Sequence, residues 1–274
     1  MKRIALLAFV LMSARFVTAG IVDGIYFEEK GSGPAVVLIH GGQMDRRMWD
    51  TQFDEFAKQF RVVRYDLRGF GKSPAPTKGF SNEEDLTRLL DHLKIDGARF
   101  VGLSLGAAVA VDFAITHSNH VEALLLVCPG LGGFPFQDPA NNLEAVVIAA
   151  RDESAARAAE LWLANPYMNV AMENPALRSK LRKLAEENAH CWLNNPIMQR
   201  RLRPPANDRL KEVRARTLVI HGERDVSDIH RIVEKMEKEI PGAKKIVVKG
   251  AGHLVPMEKP EEFNGIALEF LREK

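Results

Sequence analysis

Short runs rich in valine, leucine and isoleucine recur along this chain, at 35–39, 61–65, 99–103, 121–127, 217–222 and 245–248. Their length and β-branched content predict buried strands. Between them lie stretches whose apolar residues fall three and four apart, most clearly 105–117 and 229–239, which predict helices packed by one face. Strand and helix taking turns predict an α/β fold, with a mainly parallel central sheet flanked by helices.

One interval breaks this rhythm. Far more chain separates the strand at 121–127 from the one at 217–222 than a single crossover helix needs. The surplus, 134–205, contains helical stretches at 142–151, 154–163 and 175–193, punctuated by Asn165-Pro166, Asn174-Pro175, Asn195-Pro196 and Pro204-Pro205. It is expected to form a helical insertion, leaving 20–133 and 206–274 as the core. Its large apolar side chains, Trp162, Tyr167, Met168, Met172, Trp192 and Met198, suit packing onto the core or adaptable pocket walls.

The first residues have a separate logic. Met1-Lys2-Arg3 is basic, 4–12 is apolar, and Val17-Thr18-Ala19 supplies small residues where a signal peptidase reads. The expectation is a secretory signal ending at Ala19 and a secreted or periplasmic protein, the alternative being a cytoplasmic one. The apolar run is too short to span a bilayer, and Arg15 interrupts it. The formal charge of +2 comes from this segment. Without Lys2, Arg3 and Arg15, 35 basic side chains face 36 acidic ones, so nucleic acid is not an expected partner. A small-molecule substrate is expected instead. At 274 residues and 46% hydrophobic, the chain can bury a sizeable core.

The chemistry begins at Gly102-Leu103-Ser104-Leu105-Gly106, where a strand turns abruptly into a helix. That turn is a nucleophile elbow: the serine takes a strained backbone, and small neighbours are needed on both sides. A serine hydroxyl needs a histidine to take its proton and a carboxylate to orient that histidine. Asp225 follows the strand at 217–222, with Asp228 as an alternative acid or a helix cap. His253 stands in the glycine-flanked loop after the last strand.

These residues, in this order, resemble the α/β-hydrolase fold superfamily from about residue 25 onward. Further marks are His40-Gly41-Gly42-Gln43 after the strand at 35–39, Asp66 to Ser73 reading DLRGFGKS, and Gly250 to Pro260 reading GAGHLVPMEKP. They are similar to the serine esterase, lactonase and carbon–carbon hydrolase branch. The resemblance implies that 134–205 is a cap over the active site and that no metal or organic cofactor is required. It also implies an oxyanion hole of the Leu105 and Gly42 N–H groups, Gln43 being the alternative second donor. Hydrolysis of a small ester, lactone or similar carbonyl compound is expected, with carbon–carbon bond hydrolysis or a ligand receptor of little turnover as alternatives. Gln43, Phe134, Trp162, Trp192, Met198 and Leu254 are the candidate pocket walls.

Several chemically suggestive residues have plainer roles. His40 is expected to brace the oxyanion loop, and Asp66, Arg68 and Ser73 to lock a loop through a buried ion pair. Cys128 reads as apolar filler at a strand end, and His190-Cys191 lacks the further ligands of a zinc site.

Overall fold

The computed structural model describes residues 17–138, 143–194 and 196–273. Among them, β1 (Thr18–Val22), β2 (Ile25–Gly31), β3 (Ala35–Ile39), β4 (Arg61–Tyr65), β5 (Ala98–Leu103), β6 (Val121–Val127), β7 (Arg216–Gly222) and β8 (Lys244–Val248) form one sheet. Its order is β1-β2-β4-β3-β5-β6-β7-β8. Strands β3 to β8 run parallel. All five residues of β3 are buried, as expected of a strand covered on both faces. The covering helices are α1 (Asp50–Phe56), α2 (Asn82–Leu93) and α3 (Leu105–Thr116), and, beyond the insertion, α7 (Ser227–Glu239), α8 (Val255–Glu258) and α9 (Pro260–Arg272). Helices α2 and α3 pack together, as do α1 and α9.

The antiparallel pair β1–β2 is an addition to the six strands expected from sequence. Its loop is Asp23-Gly24, both at positive φ (48° and 85°), the backbone of a two-residue hairpin turn. Thr18 and Ala19 open β1, while 1–16, most of the expected export signal, lie outside the described residues. No described helix is long and apolar enough to cross a membrane.

Between β6 and β7 the chain forms α4 (Leu143–Ile148), α5 (Ala155–Leu163) and α6 (Pro175–Glu187) with short 3₁₀ turns between them. Two of the Asn-Pro pairs prove to be starts, Asn195 lying outside the described residues: Asn165 and Asn174 accept amide hydrogens from Tyr167 and from Ala176 and Leu177, with proline in the first turn. The helix expected at 175–193 stops at Glu187. Asn188 ends it because its buried side chain donates to Asp45 (2.7 Å) and to the Leu184 carbonyl (3.0 Å), and accepts from the Gly71 N–H (2.8 Å). The helix expected at 142–151 stops at Ile148 and widens into a π-turn at Ala149–Glu153.

A buried charge cluster ties the core loops together. Asp66, fully buried after β4, accepts from the Arg46 guanidinium and N–H (2.8 Å each) and from the Lys72 N–H (2.9 Å). Arg46 also meets Glu28 (2.8 Å), which pairs with Arg64 (2.7 Å). Arg68, by contrast, forks onto Asp85, and the Ser73 hydroxyl donates to the Asp66 carbonyl (2.7 Å). Each of these charges is desolvated, so removing one partner leaves the others unmatched. Arg46→Ala should therefore cost about 3–5 kcal/mol in urea unfolding. Arg151→Ala, which removes an exposed pair with Asp152, should leave the urea midpoint essentially unchanged.

Candidate active site

Ser104 sits between β5 and α3 with φ 52° and ψ −110°, a conformation a non-glycine residue holds only under constraint. The constraint is visible. Its N–H donates to the Val127 carbonyl of β6 (3.0 Å), and its own carbonyl accepts from Gly130 (3.0 Å) and from Ala107 and Ala108 (3.1 Å each). The flanking glycines are steric requirements. A Cβ at Gly102 would lie 2.4 Å from the Gly106 carbonyl oxygen, and one at Gly106 would lie 2.2 Å from that of Ile39. Ser104 is thereby held at the N-terminus of α3, whose first N–H groups have no partner within the helix.

The loop after β3 runs alongside. His40 is fully buried, its Nδ1 2.7 Å from the Gly41 carbonyl and its Nε2 accepting from the Leu67 N–H at 2.9 Å. Burial lowers its pKa, so it is a neutral brace between two loops. The Gly41 N–H is taken by Met48 Sδ (3.4 Å). Gly42 faces open space, with nothing within 4 Å of where its Cβ would be, and Gln43 follows at φ 56°.

At the ends of β7 and β8 the acid and histidine loops meet. Asp225 Oδ2 is 2.9 Å and Oδ1 3.1 Å from His253 Nδ1, with the carboxylate fully shielded from solvent. Glu258, which the motif carries without a role of its own, braces the backbone of the histidine loop. Its carboxylate accepts from the Gly252 N–H (2.5 Å) and the Leu254 N–H (3.0 Å), the two amides that flank His253. Burial pushes the Glu258 carboxyl up from its ordinary range. Asp228 is committed elsewhere. It accepts from the Gln137 and Asp138 N–H groups and pairs with Arg231, while Val226 holds the N-cap position of α7.

Ser104 and His253 line one cavity of about 430 Å³. Gln43, Trp162 and Leu254 line it as well, together with Met44, Phe136, Tyr167 and Met168. The Tyr167 ring meets the His253 ring edge to face at 4.7 Å. Three residues expected in the walls stand outside this lining. Phe134 packs under the Arg231 guanidinium, Trp192 lines a separate hollow, and Met198 gives its backbone carbonyl to the Phe80 N–H.

Cys128 Sγ, an Asp225 oxygen and a His253 ring nitrogen lie within 4.8 Å of one another, a potential metal-ligand set. The donors do not favour an ion there: Nδ1 is engaged by Asp225, and burial pushes the Cys128 thiol well up, away from the thiolate a metal needs. Cys128 and Cys191 are both free. A hydroxyl at a helix N-terminus, a carboxylate-held imidazole in the same cavity and a glycine-opened loop beside them are the parts acyl transfer needs.

Residues 36–266 match the alpha/beta hydrolase family. A 2-hydroxy-6-oxo-6-phenylhexa-2,4-dienoate hydrolase of Comamonas testosteroni is 27% identical over 266 residues, covering 91% of this chain and 92% of the relative. A thermophilic esterase from Thermogutta terrifontis superposes with a TM-score of 0.76 at 29% identity, covering 94% of this chain and 98% of its own. The enol-lactonase from Burkholderia xenovorans LB400 gives 0.74 at 25%, covering 93% and 100%. Match, fold and strand order together establish that the chain belongs to the alpha/beta hydrolase family.

Proposed function

We propose that the protein is a serine hydrolase that cleaves a small ester, lactone or similarly activated carbonyl compound through an acyl-enzyme. The observation that carries the reading is the Asp225–His253 hydrogen bond, which holds a histidine lining the same cavity as Ser104 on its strained elbow. In this mechanism the Ser104 Oγ attacks the carbonyl carbon while His253 Nε2 takes its proton. Asp225 holds the Nδ1–H and steadies the imidazolium that forms. The Leu105 and Gly42 N–H groups receive the oxyanion. Collapse expels the alcohol, protonated by His253, and a water activated by the same histidine releases the acid. Glu258 supports these steps by fixing the amides on either side of His253.

The insertion between β6 and β7 acts as the cap. It contributes Trp162, Tyr167 and Met168 to a cavity of the volume usual for small-ligand sites. The similarity to the Comamonas dienoate hydrolase supports carbon–carbon bond hydrolysis as the second reading, since the same three residues serve it.

The direct test is turnover of p-nitrophenyl butyrate with labelling by a fluorophosphonate probe. Ser104→Ala should abolish labelling and lower kcat by at least about 10³-fold. Asp225→Asn should lower kcat by about 10⁴-fold with the fold intact, and Asp228→Asn should change it little. Labelling that survives in Ser104→Ala, or the reverse ranking of the two aspartates, refutes the assignment.

The cavity walls make a separate prediction. Trp162→Ala should cost about ten- to sixtyfold in kcat/KM for a hexanoate ester, equivalent to two or three buried methylenes, and much less for an acetate. Trp192→Ala should not discriminate between chain lengths, because Trp192 lies in the other hollow. Measuring kcat/KM across an acetate-to-octanoate series checks both.

A further inference from the structure

The insertion reaches His253 itself. Between α5 and α6 the chain makes two 3₁₀ turns, Pro166–Met168 and Ala171–Glu173. Tyr167, Val170 and Glu173, spaced at the period of such turns, meet the acid and histidine loops. The Tyr167 and His253 rings lie 4.7 Å apart, centroid to centroid, with their planes tilted by 63°. Val170 packs so closely on Gly252 that a Cβ there would lie 2.8 Å from the Val170 Cβ. Glu173 pairs with Arg224, the residue before Asp225, at 2.9 Å. The first turn is stiffened from within: the Asn165 side chain accepts the Tyr167 N–H (3.2 Å), and the Asn165 carbonyl accepts the Met168 N–H (2.8 Å).

We propose that Tyr167 is a positioning residue for the reaction: its ring closes one flank of His253 and keeps the imidazole turned for proton transfer with Ser104. The inference rests on the acyl-transfer reading given above. Its basis is the freedom that the other contacts leave. Asp225 engages one ring atom, Nδ1, and Glu258 fixes the amides of Gly252 and Leu254. Neither fixes the plane of the ring, which can still tilt and swing about the bonded nitrogen. An aromatic side chain packed against it removes that motion. Proton transfer is sensitive to such motion, since a displacement of about 1 Å can cost about 100-fold in rate. Tyr167 is an uncharged neighbour for this purpose, because burial, aided by Asp225 and Asp138, raises the pKa of its hydroxyl above the ordinary value. The seating of the insertion on the two loops thereby becomes part of the catalytic geometry.

Tyr167 also lines the cavity, so the test must separate a wall for the histidine from a wall for the substrate. Hydrolysis of p-nitrophenyl acetate and hexanoate, and the rate of labelling by a small fluorophosphonate, are compared in wild type, Tyr167→Leu, Tyr167→Phe and Val170→Ala. Tyr167→Leu should lower kcat and kcat/KM together, by about ten- to a hundredfold and equally for both esters, with labelling slowed in step. Tyr167→Phe, which keeps the ring, should recover most of that loss. Val170→Ala, a change at a half-buried position, should loosen the seat on Gly252 and lower kcat about two- to fivefold for both esters alike. A loss that grows with acyl length makes Tyr167 a substrate wall and overturns the proposal. Failure of Tyr167→Phe to recover the rate, or a folded Tyr167→Leu enzyme with wild-type kcat, overturns it equally. Should Tyr167→Leu not fold, Val170→Ala decides, and an unchanged kcat there counts against the proposal. Wild-type protein that hydrolyses neither ester and takes no label removes the acyl-transfer reading itself, a different result from hydrolysis indifferent to Tyr167.

Discussion

The backbone of Ser104 is the constraint on which the rest of the site depends. A non-glycine residue at φ 52° and ψ −110° costs on the order of 1–3 kcal/mol, and it persists only where its surroundings over-determine it. Here they do so from three directions. Val127 on β6 accepts the Ser104 N–H, Gly130 beyond β6 donates to its carbonyl, and α3 begins at the next residue. Because β3, β5 and β6 are neighbours in the parallel sheet, the loop of His40 to Gln43 and the turn from 130 onward emerge beside the same elbow. The sheet thus explains why the serine is presented beside both loops.

The acid and the histidine come from the next strands in order, β7 and β8, so their loops reach the site from one side. Backbone bonds knit these loops: Glu223 and Arg224 donate to the Val248 and Ala251 carbonyls, and Glu258 holds both amides around His253. The insertion is tied in by different means. Arg224 pairs with Glu173, and Asn188 joins the end of α6 to Asp45 and to the Gly71 N–H. Asp45, accepting from Arg47 and Asn188, has its pKa lowered to about 2, so this junction remains charged across the ordinary pH range.

What the sequence discloses follows from whether the cause is local. Gly102 and Gly106 are required by contacts within one strand–turn–helix unit, so a pentapeptide suffices to locate the elbow. The strands from β3 to β8 are legible because both-sided burial demands apolar runs. The hairpin β1–β2 carries a local signal too, Asp23-Gly24, but the basic and apolar residues before it read as an export segment. The end of α6 is illegible because Asn188 is held by Asp45 and Gly71, far away in the chain. Pocket walls are hardest. Phe134 and Phe136 are two residues apart and equally apolar, yet one packs under Arg231 and the other lines the cavity of Ser104 and His253. Only the path of the chain between β6 and α4 decides which.

The central claim is that the strained elbow aims Ser104 at a carbonyl whose oxygen is received by Gly42 and Leu105. A crystal structure of the enzyme treated with an alkyl phosphonate tests it most directly, since the tetrahedral phosphorus imitates the intermediate. The account predicts a covalent Ser104 Oγ–P bond, with the phosphoryl oxygen within hydrogen-bond distance of both N–H groups and the Asp225–His253 bond intact. An adduct on another residue, or a phosphoryl oxygen turned away from Gly42 and Leu105, would contradict it.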